Sequence, residues 1–344
     1  MLALPQPIPN SGRPAPTLEE RIAETLELMD RRGYGISVPD FGRLLYGGPA
    51  PSAEISRALS SGLPAVVVDG LVLRPDRADR ADALMARQRE HRKHEAEARR
   101  LADEFAARLV STCPLVRTVS LTGSMASGGF DPRDDIDFNL VVRDGAKYSV
   151  YLWALALGLV TSLENRRKPT DEMGDLPFLP KVICLNVVWE ESQVRPFVRQ
   201  DKWLAFELMM HRPILGASYW ERVLEQNTWI GAHFPQVLQG GFASTDSEAA
   251  LAAARQRRPG RSLFAWLDRH PLALSVVERV ARPLVIGLHK VISLMRKGHP
   301  EARAREAFVT LVKRPYTVFD VPGREGPVPP QALRARELER TARP

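Results

Sequence analysis

The chain has 344 residues, of which 44% are hydrophobic and 26% are charged, and its net charge is +7. This is enough apolar sequence for two or three packed domains with ordinary cores. The two cysteines, Cys113 and Cys184, exclude a disulfide framework, lack metal-ligand spacing, and are expected to be small buried apolar residues. Residues 251–344 contain 19 Lys and Arg against 8 Asp and Glu. This basic third could attract phosphates or nucleic acid, or it could consist of solvated helix faces and a loose tail.

Residues 1–16 are expected to form a flexible arm, because prolines punctuate them and no periodicity appears. They contain no apolar core of the kind that a secretory signal needs. The most apolar stretch, 150–163, is too short to span a bilayer and predicts a buried helix. A cytoplasmic location is therefore expected, and a membrane is not among the expected partners.

Residues 17–75 predict three helices followed by a hairpin, an order that resembles a winged-helix domain. A capping box formed by Thr17 and Glu20 begins the first helix, and short helical stretches at 37–45 and 52–61 give the other two. Asp69-Gly70 is the turn of the hairpin. Winged helices often bind DNA, but the third helix offers only Arg57 as a basic residue. A packing or dimerisation module is therefore favoured over a DNA reader.

Residues 76–112 are charged, rich in alanine and free of glycine, and they contain no proline. This composition predicts one long connecting helix, or two helices broken near His91. The basic and acidic residues of this segment balance each other, and His91 and His94 are expected to be solvated.

Residues 113–195 predict an α/β core with a small mixed sheet. Its strands are predicted over 117–122, 136–142 and 181–189, with a helix over 146–163. Residues 196–320 predict a helical C-terminal domain, with helices over 201–210, 218–226, 262–269 and 274–295. The last of these should kink at Pro283. Residues 321–344 are rich in proline and arginine and are expected to be disordered.

The residues with the clearest chemistry lie between the first two strands of this core. Gly123 and Ser124 follow the first strand, and Asp135 and Asp137 occupy alternate positions at the start of the second. Alternate residues of a strand point to one face, so the two carboxylates project together. Adjacent carboxylates repel unless a cation lies between them, and a hard divalent ion such as Mg²⁺ or Mn²⁺ suits this site. A glycine-serine turn lets backbone N–H groups and a hydroxyl approach a phosphate closely.

The pattern of Gly-Ser, ten residues and Asp-x-Asp resembles the signature of the polymerase-beta-type nucleotidyltransferase superfamily. The stretches 181–186 and 219–229 resemble a bacterial group of uncharacterised predicted nucleotidyltransferases, which carry an N-terminal winged-helix-like segment. The resemblance covers roughly residues 17–235. It implies a nucleotidyltransferase fold in which Asp135 and Asp137 hold magnesium. The nucleotide-binding residues that it implies are Gly123, Ser124 and Ser127.

One departure from the superfamily concerns a third acidic residue, which a later strand usually supplies as a metal ligand or general base. The resemblance puts Asn186 at this catalytic position, and its amide oxygen can bind a metal but cannot accept a proton. Glu190 and Glu191 end the same strand, and alternation puts Glu190 on the face of Asn186, about 13 Å away. Three consequences stay open: a one-metal enzyme, an acceptor activated in another way, or lost catalysis.

Several other residues have two interpretations. Asp131 and Asp134 could join the site but are expected to shape the turn of their loop. Six basic residues could steer phosphates: Arg143, Lys147, Arg166, Arg167, Lys168 and Lys181. The run 166–168 ends a helix, where cations complement the helix dipole in any case. Three tryptophans are expected to pack, although one could stack on a nucleobase: Trp203, Trp220 and Trp229.

Together these features predict an α/β nucleotidyltransferase with a winged-helix-like domain in front and a helical domain behind. The predicted reaction moves a nucleoside monophosphate from an NTP, ATP among them, to an acceptor hydroxyl and releases pyrophosphate. The expected acceptor is a small molecule, a nucleic acid is less favoured, and the oligomeric state is open. Two alternatives remain. One is a catalytically degenerate nucleotide-binding sensor, which Asn186 would explain, and the other is a DNA-binding regulator that uses the winged helix.

Overall fold

The computed structural model describes residues 16–30, 35–61, 63, 65–169, 179–197, 200–239, 252–254 and 263–296. Within these ranges the chain is mixed α/β, with helices packed against two small sheets. None of the described helices combines the length and the apolar character needed to cross a bilayer. The predicted arm, apart from Pro16, and the predicted tail at 321–344 lie outside the described residues.

The N-terminal elements begin and end close to the predicted positions. The three helices are α1 (Leu18–Asp30), α2 (Val38–Arg43) and α3 (Ser52–Ser60). The capping box is present, because Thr17 N donates to Glu20 Oε2 at 2.8 Å and Glu20 N donates to Thr17 Oγ1 at 3.2 Å. The first sheet contains β1 (Ile36–Ser37), β2 (Val66–Val68) and β3 (Leu71–Leu73), in the order β1-β3-β2. Asp69 and Gly70 both have positive φ, as the type I′ turn of the predicted hairpin requires.

The connecting helix is a single element, α4 (Ala81–Thr112), preceded by a 3-10 turn. The alternative of two helices broken near His91 is therefore wrong. The expectation that His91 is solvated is also wrong, since this residue is 6% exposed. Its Nδ1 accepts a hydrogen bond from the backbone N–H of Phe130 at 3.2 Å. The charged sequence around His91 does not reveal this contact, because Phe130 lies in a loop 39 residues further on.

The second sheet confirms the three predicted strands to within two residues at each end. Its strands are β4 (Val116–Leu121), β5 (Ile136–Val142), β6 (Ile183–Glu190) and β7 (Arg212–Leu215), in the order β6-β5-β4-β7. β5 and β6 are parallel, whereas β4 runs antiparallel to both β5 and β7. A helix follows each of the first three strands: α5 (Gly123–Ser127) after β4, α6 (Lys147–Glu164) after β5 and α7 (Lys202–Met210) after β6. α6 is the crossover connection that a parallel pair needs.

Beyond residue 196 the prediction of an all-helical chain is wrong at β7. This strand has only four residues and contains Pro213, so its sequence shows no alternation. Proline is tolerated there because β7 is the edge strand of the sheet. The remaining helices are α8 (Ala217–Glu225), α9 (Pro235–Leu238), α10 (Leu263–Arg269) and α11 (Pro271–Arg296). α11 continues through Pro283.

Two hydrophobic cores pack against opposite faces of the second sheet. The first core joins one face of the sheet to α4, α6, α10 and α11, and it contains Phe105 and Phe138. The second core joins the other face to α7, α8, α9 and the N-terminal helices, and it contains Phe41 and Trp189. The predicted helical region 196–320 therefore divides between the two cores. The N-terminal helices share a core with residues from 187 to 237.

Candidate functional site

β4 and β5 bring the glycine turn and the two aspartates to the same end of the sheet. Thr122 N donates to Asp137 O at 3.0 Å, so the turn that starts at Gly123 begins beside Asp137. Asp135 and Asp137 are half-buried, whereas Ile136 between them is buried in the first core. The predicted alternation of the pair is therefore confirmed.

Gly123 lies directly beside the carboxylate of Asp137. Its φ of +62° lies in the left-handed region, which favours glycine. A Cβ at this position would overlap the carboxylate of Asp137. Gly128, which ends α5, also has positive φ, but apart from the residue itself and its chain neighbours no described atom lies within 4 Å of the place where its Cβ would be. Position 123 therefore requires glycine for two reasons: its backbone conformation is left-handed, and the Asp137 carboxylate leaves no room for a side chain.

The two serines of α5 differ in what their hydroxyls do. Ser127 Oγ donates to Gly123 O at 3.0 Å, so this hydroxyl is turned back onto its own helix. Ser124 is 9% exposed, and within the described ranges its hydroxyl makes no hydrogen bond. The first N–H groups of any α-helix also lack an acceptor within the helix. The predicted phosphate contacts therefore fit Gly123 and Ser124 better than Ser127.

Cys184 supplies a further potential ligand atom beside the aspartates. It is the Cα partner of Asp137 on β6. Its Sγ and one carboxylate oxygen from each of Asp135 and Asp137 lie within 4.8 Å of one another. Burial raises the pKa of the Cys184 thiol to about 12, so the thiol carries its proton at neutral pH. The expectation of a buried apolar residue is confirmed for Cys113, but it is wrong for Cys184, which is half-buried. Strand alternation could have indicated Cys184 as a site residue, because it lies two positions before Asn186.

Asn186 borders the site from a β-bulge. The register between β5 and β6 skips one residue of β6 after Leu185, which leaves Asn186 without a Cα partner. Its Nδ2 donates to Thr122 Oγ1 at 3.3 Å, and its Oδ1 lies 3.8 Å from Cys184 Sγ. The amide therefore connects the end of β4 to the ligand atom of Cys184.

The same bulge moves Glu190 to the opposite face of the sheet. Glu190 pairs with Val142, whose side chain is buried in the first core. Its Oε1 accepts a hydrogen bond from Gly145 N at 2.7 Å, and burial raises the pKa of this carboxyl. The expectation that Glu190 shares the face of Asn186 is wrong, because it assumed unbroken alternation along β6. Glu191 forms an ion pair outside the site, with Arg117 at 3.2 Å.

Lys181 brings a positive charge into the site. Its Nζ forms an ion pair with Asp135 Oδ2, and about one third of its side chain is exposed. Burial alone would lower the pKa of Lys181, but the Asp135 carboxylate acts in the opposite direction through its charge and its hydrogen bond, and the net shift is upward. The ammonium therefore stays charged and offsets part of the repulsion between the two carboxylates.

The loop aspartates shape their turn, as expected. Asp131 Oδ1 accepts a hydrogen bond from Arg133 N at 2.9 Å. Asp134 Oδ2 accepts one from Asp131 N at 3.1 Å and also pairs with Arg87 on α4. Both carboxylates are therefore used in holding the loop between the glycine turn and β5.

The other candidate cations and the tryptophans make contacts elsewhere in the fold. Arg143 pairs with Asp268 at 2.6 Å, and Lys147 is buried at the start of α6. Lys168 donates to Arg133 O at 3.0 Å, whereas Arg166 and Arg167 are exposed beyond the end of α6. The three tryptophans pack in or against the second core: Trp203, Trp220 and Trp229.

Comparisons with protein-family models, with curated proteins and with solved structures give no match for this chain. The chemistry of the site therefore has to be inferred from its own side chains. Two carboxylates and an amide oxygen are the ligands that a hard divalent cation prefers. Cys184 suits such an ion less well, because sulfur is a soft ligand and hard divalent cations prefer oxygen. The donor set therefore fits Mg²⁺ or Mn²⁺ held by Asp135 and Asp137.

Proposed function

We propose that this chain is a metal-dependent nucleotidyltransferase with the fold of the polymerase-beta-type superfamily. It would transfer a nucleoside monophosphate from an NTP to an acceptor hydroxyl, most suitably on a small molecule, and release pyrophosphate. The observation that carries the proposal is the contact between Gly123 and the Asp137 carboxylate. This contact brings a glycine-serine turn, which suits phosphate, next to a carboxylate pair, which suits a divalent cation.

In this proposal one set of residues binds the phosphates and another binds the metal ion. The N–H groups at the start of α5 and the hydroxyl of Ser124 bind phosphate oxygens. Asp135 and Asp137 hold the divalent ion, which when bound neutralises phosphate charge and lowers the pKa of the acceptor hydroxyl. Lys181, which pairs with Asp135 in the structure, adds a second positive charge for the triphosphate.

The proposed transfer forms a bond between the acceptor oxygen and the α-phosphorus and breaks the bond to pyrophosphate. The proton of the acceptor hydroxyl has to leave during this step. Asn186 cannot take it, and the thiol of Cys184 already carries a proton. A carboxylate oxygen of Asp135 or Asp137 is therefore the proposed acceptor of this proton.

Pyrophosphate release by the full chain tests the proposal, with each NTP, magnesium or manganese, and pooled hydroxyl compounds. Asp135→Asn and Asp137→Asn should each lower release by roughly 100-fold or more, with non-additive effects, because the carboxylates act as a unit. Asp131→Asn is the matched control, since it makes the same charge change nearby and keeps an oxygen for Arg133 N. Near-normal release by either site variant would show that the metal assignment is wrong.

A catalytically degenerate nucleotide sensor is the second candidate. It is favoured by the composition of the cluster, in which Cys184 and Asn186 stand where a third carboxylate would be expected. A sensor should bind NTP tightly in calorimetry without releasing pyrophosphate under any of the conditions above. Asn186→Asp separates the two candidates, because it should preserve or raise the turnover of an enzyme and give at most weak transfer in a sensor. Turnover by the unmodified chain would exclude the sensor.

A further inference from the structure

Exposed apolar side chains are concentrated on three helices of the first core. Of the thirteen large hydrophobic residues that are exposed in the described ranges, twelve lie on α6, α10 and α11. The other one is Val67 on β2, at 47% exposure. Contiguous apolar surface on this scale marks a site of interaction, whereas single exposed residues do not.

α11 presents two apolar faces. One face is buried in the first core through Leu274, Ala281 and Val285. The opposite face is exposed along about 33 Å of helix. It is formed by Leu272, Val276, Val280, Leu284, Val291 and Leu294. Their spacing of three, four or seven residues puts these side chains on one stripe.

α6 extends this surface beyond the place where α11 crosses it. Near its N-terminus α6 is covered by α11, because Tyr148 N and Ser149 N donate to Glu278 at 3.0 and 2.7 Å. The same side of α6 continues from Tyr148 to Leu155 and Leu159 at helical spacing, and there it is exposed. We call the exposed stripe of α11 and this part of α6 the apolar face.

The unpaired charges beside the apolar face are all positive within the described ranges. Arg279 and Lys290 on α11 are exposed and make no ion pair with a described residue, and the same is true of Arg166 and Arg167 beyond α6. The acidic side chains nearby are already engaged. Glu278 caps α6, Glu164 pairs with Arg108 at 2.7 Å, and Asp268 pairs with Arg143 at 2.6 Å.

We infer that the apolar face lies on an anionic lipid bilayer, with its aliphatic side chains inserted at the level of the headgroups. An exposed apolar stripe flanked by arginine and lysine is the pattern of a helix that lies in this interface. Anionic headgroups would complement the unpaired cations. This proposal does not depend on the proposed function, and it departs from the sequence-based expectation that a membrane is not a partner.

Two other occupants of the apolar face fit its charge less well. Residues 297–344 contain 10 Lys and Arg against 6 Asp and Glu, so they are positive like the face itself. In a symmetric pair of chains with antiparallel α11 helices, the two-fold axis would put the basic flanks of both helices on the same side. Like charges brought together in this way repel.

Flotation of the full chain with lipid vesicles tests the inference. The chain should float with vesicles of phosphatidylcholine that contain about one third phosphatidylserine, and much less with phosphatidylcholine alone. Binding should weaken as salt is raised, because screening reduces the attraction of exposed charges. Arg279→Gln and Lys290→Gln should each weaken binding about fivefold. No binding to anionic vesicles, or equal binding to neutral ones, would overturn the inference.

Substitution of the apolar stripe gives an independent readout. Leu284→Gln combined with Val291→Gln changes two side chains that are 58% and 54% exposed, so the folded state should keep its circular dichroism spectrum. Vesicle binding should fall at least tenfold. Val67→Gln is the matched control and should bind like the unmodified chain. If the chain instead ignores vesicles and forms a dimer that the double substitution dissociates, a second copy covers the face and the inference is wrong.

Discussion

Gly123 is constrained both by its backbone and by its neighbour. Its φ of +62° disfavours any side chain, and a Cβ there would overlap the Asp137 carboxylate. Gly123→Ala is therefore expected to lower the free energy of unfolding by about 3 kcal/mol, from left-handed strain and from displacement of the carboxylate. Urea unfolding followed by circular dichroism measures this loss.

Gly128→Ala is the control for backbone strain alone. Gly128 has φ of +78° but open space around its Cα, so this substitution should cost only about 1–2 kcal/mol. Equal losses at 123 and 128 would contradict the contact with Asp137. Because any side chain at 123 moves Asp137, a substitution of Gly123 does not isolate phosphate binding. Ser124→Ala does so more cleanly, since the Ser124 hydroxyl has no partner among the described residues.

His91 makes the stability of the molecule sensitive to mildly acidic pH. Burial lowers its pKa below the ordinary 6.5, with Glu95 opposing this shift and Arg212 and Arg92 adding to it. The folded state thus binds fewer protons than the unfolded state below about pH 6.5. The free energy of unfolding should therefore fall as the pH is lowered through this range, where protonation also ends the bond from Phe130 N.

Urea unfolding at about pH 7.5 and about pH 5.5 checks the role of His91. His91→Gln should reduce the difference between the two pH values, because it removes the titrating ring. His94→Gln is the matched control on the same helix, since His94 is 39% exposed, and it should keep the difference. An unchanged difference in His91→Gln would contradict the assignment.

The sequence is sufficient to predict the centre of the candidate site but not its border. Asp135, Asp137 and Gly123 come together because one turn and one strand connect them. Lys181 and Cys184 reach them only through the pairing of β6 with β5, which no local pattern specifies. The charge on Lys181 suggested phosphate steering, whereas the structure pairs it with Asp135.

α6 receives the cap of its N-terminus from another helix. Its own N-cap residue, Ala146, has no side chain that could accept a hydrogen bond. Glu278 on α11 accepts from Tyr148 N at 3.0 Å and from Ser149 N at 2.7 Å instead. Glu278→Ala should therefore lower the free energy of unfolding by about 2–3 kcal/mol, since it leaves buried N–H groups unpaired at a positive helix end.

Glu221→Ala gives the comparison for the loss of Glu278. Glu221 lies on the exposed side of α8, so its removal should change the free energy of unfolding by less than about 0.5 kcal/mol. Thermal and urea unfolding of both variants would measure the two effects. A loss for Glu278→Ala as small as that for Glu221→Ala would show that the cap contributes little.

Elements with strong local signals are those that the sequence predicts well. α1 and the β2–β3 hairpin follow from a capping box and from Asp69-Gly70, both of which act within a few residues. β7 could not be predicted, because its four residues become a strand only through pairing with β4. The bulge at Asn186 is equally invisible, since it is a property of two strands rather than one.

β5 and β6 contribute side chains to both cores of the molecule. On β5 Leu140 belongs to the first core and Val141 to the second, and on β6 Val188 and Trp189 divide in the same way. The two cores should therefore unfold together. Their boundary could not be predicted, because the N-terminal helices and residues 187–237 are distant in sequence but share one core.

Phe41→Ala and Phe105→Ala test this cooperation, because each residue is buried in a different core. Each substitution should lower the free energy of unfolding by about 3–5 kcal/mol and shift a single common transition. Differential scanning calorimetry, with circular dichroism at two wavelengths, would detect a second transition. Two separate transitions, each moved by only one variant, would show that the cores are independent.

The bulge in β6 adds one residue to the strand and so shifts which of the following residues face each side of the sheet. Cys184, before the bulge, lies on the same face of the sheet as the aspartate pair. Val187, after the bulge, lies on that face again, because Asn186 is one extra residue between them. A chain from which Asn186 alone was deleted would keep every Cα pair between β5 and β6, and it would restore strict alternation along the strand. The amide beside the site thus belongs to the one residue of β6 that has no Cα partner on β5.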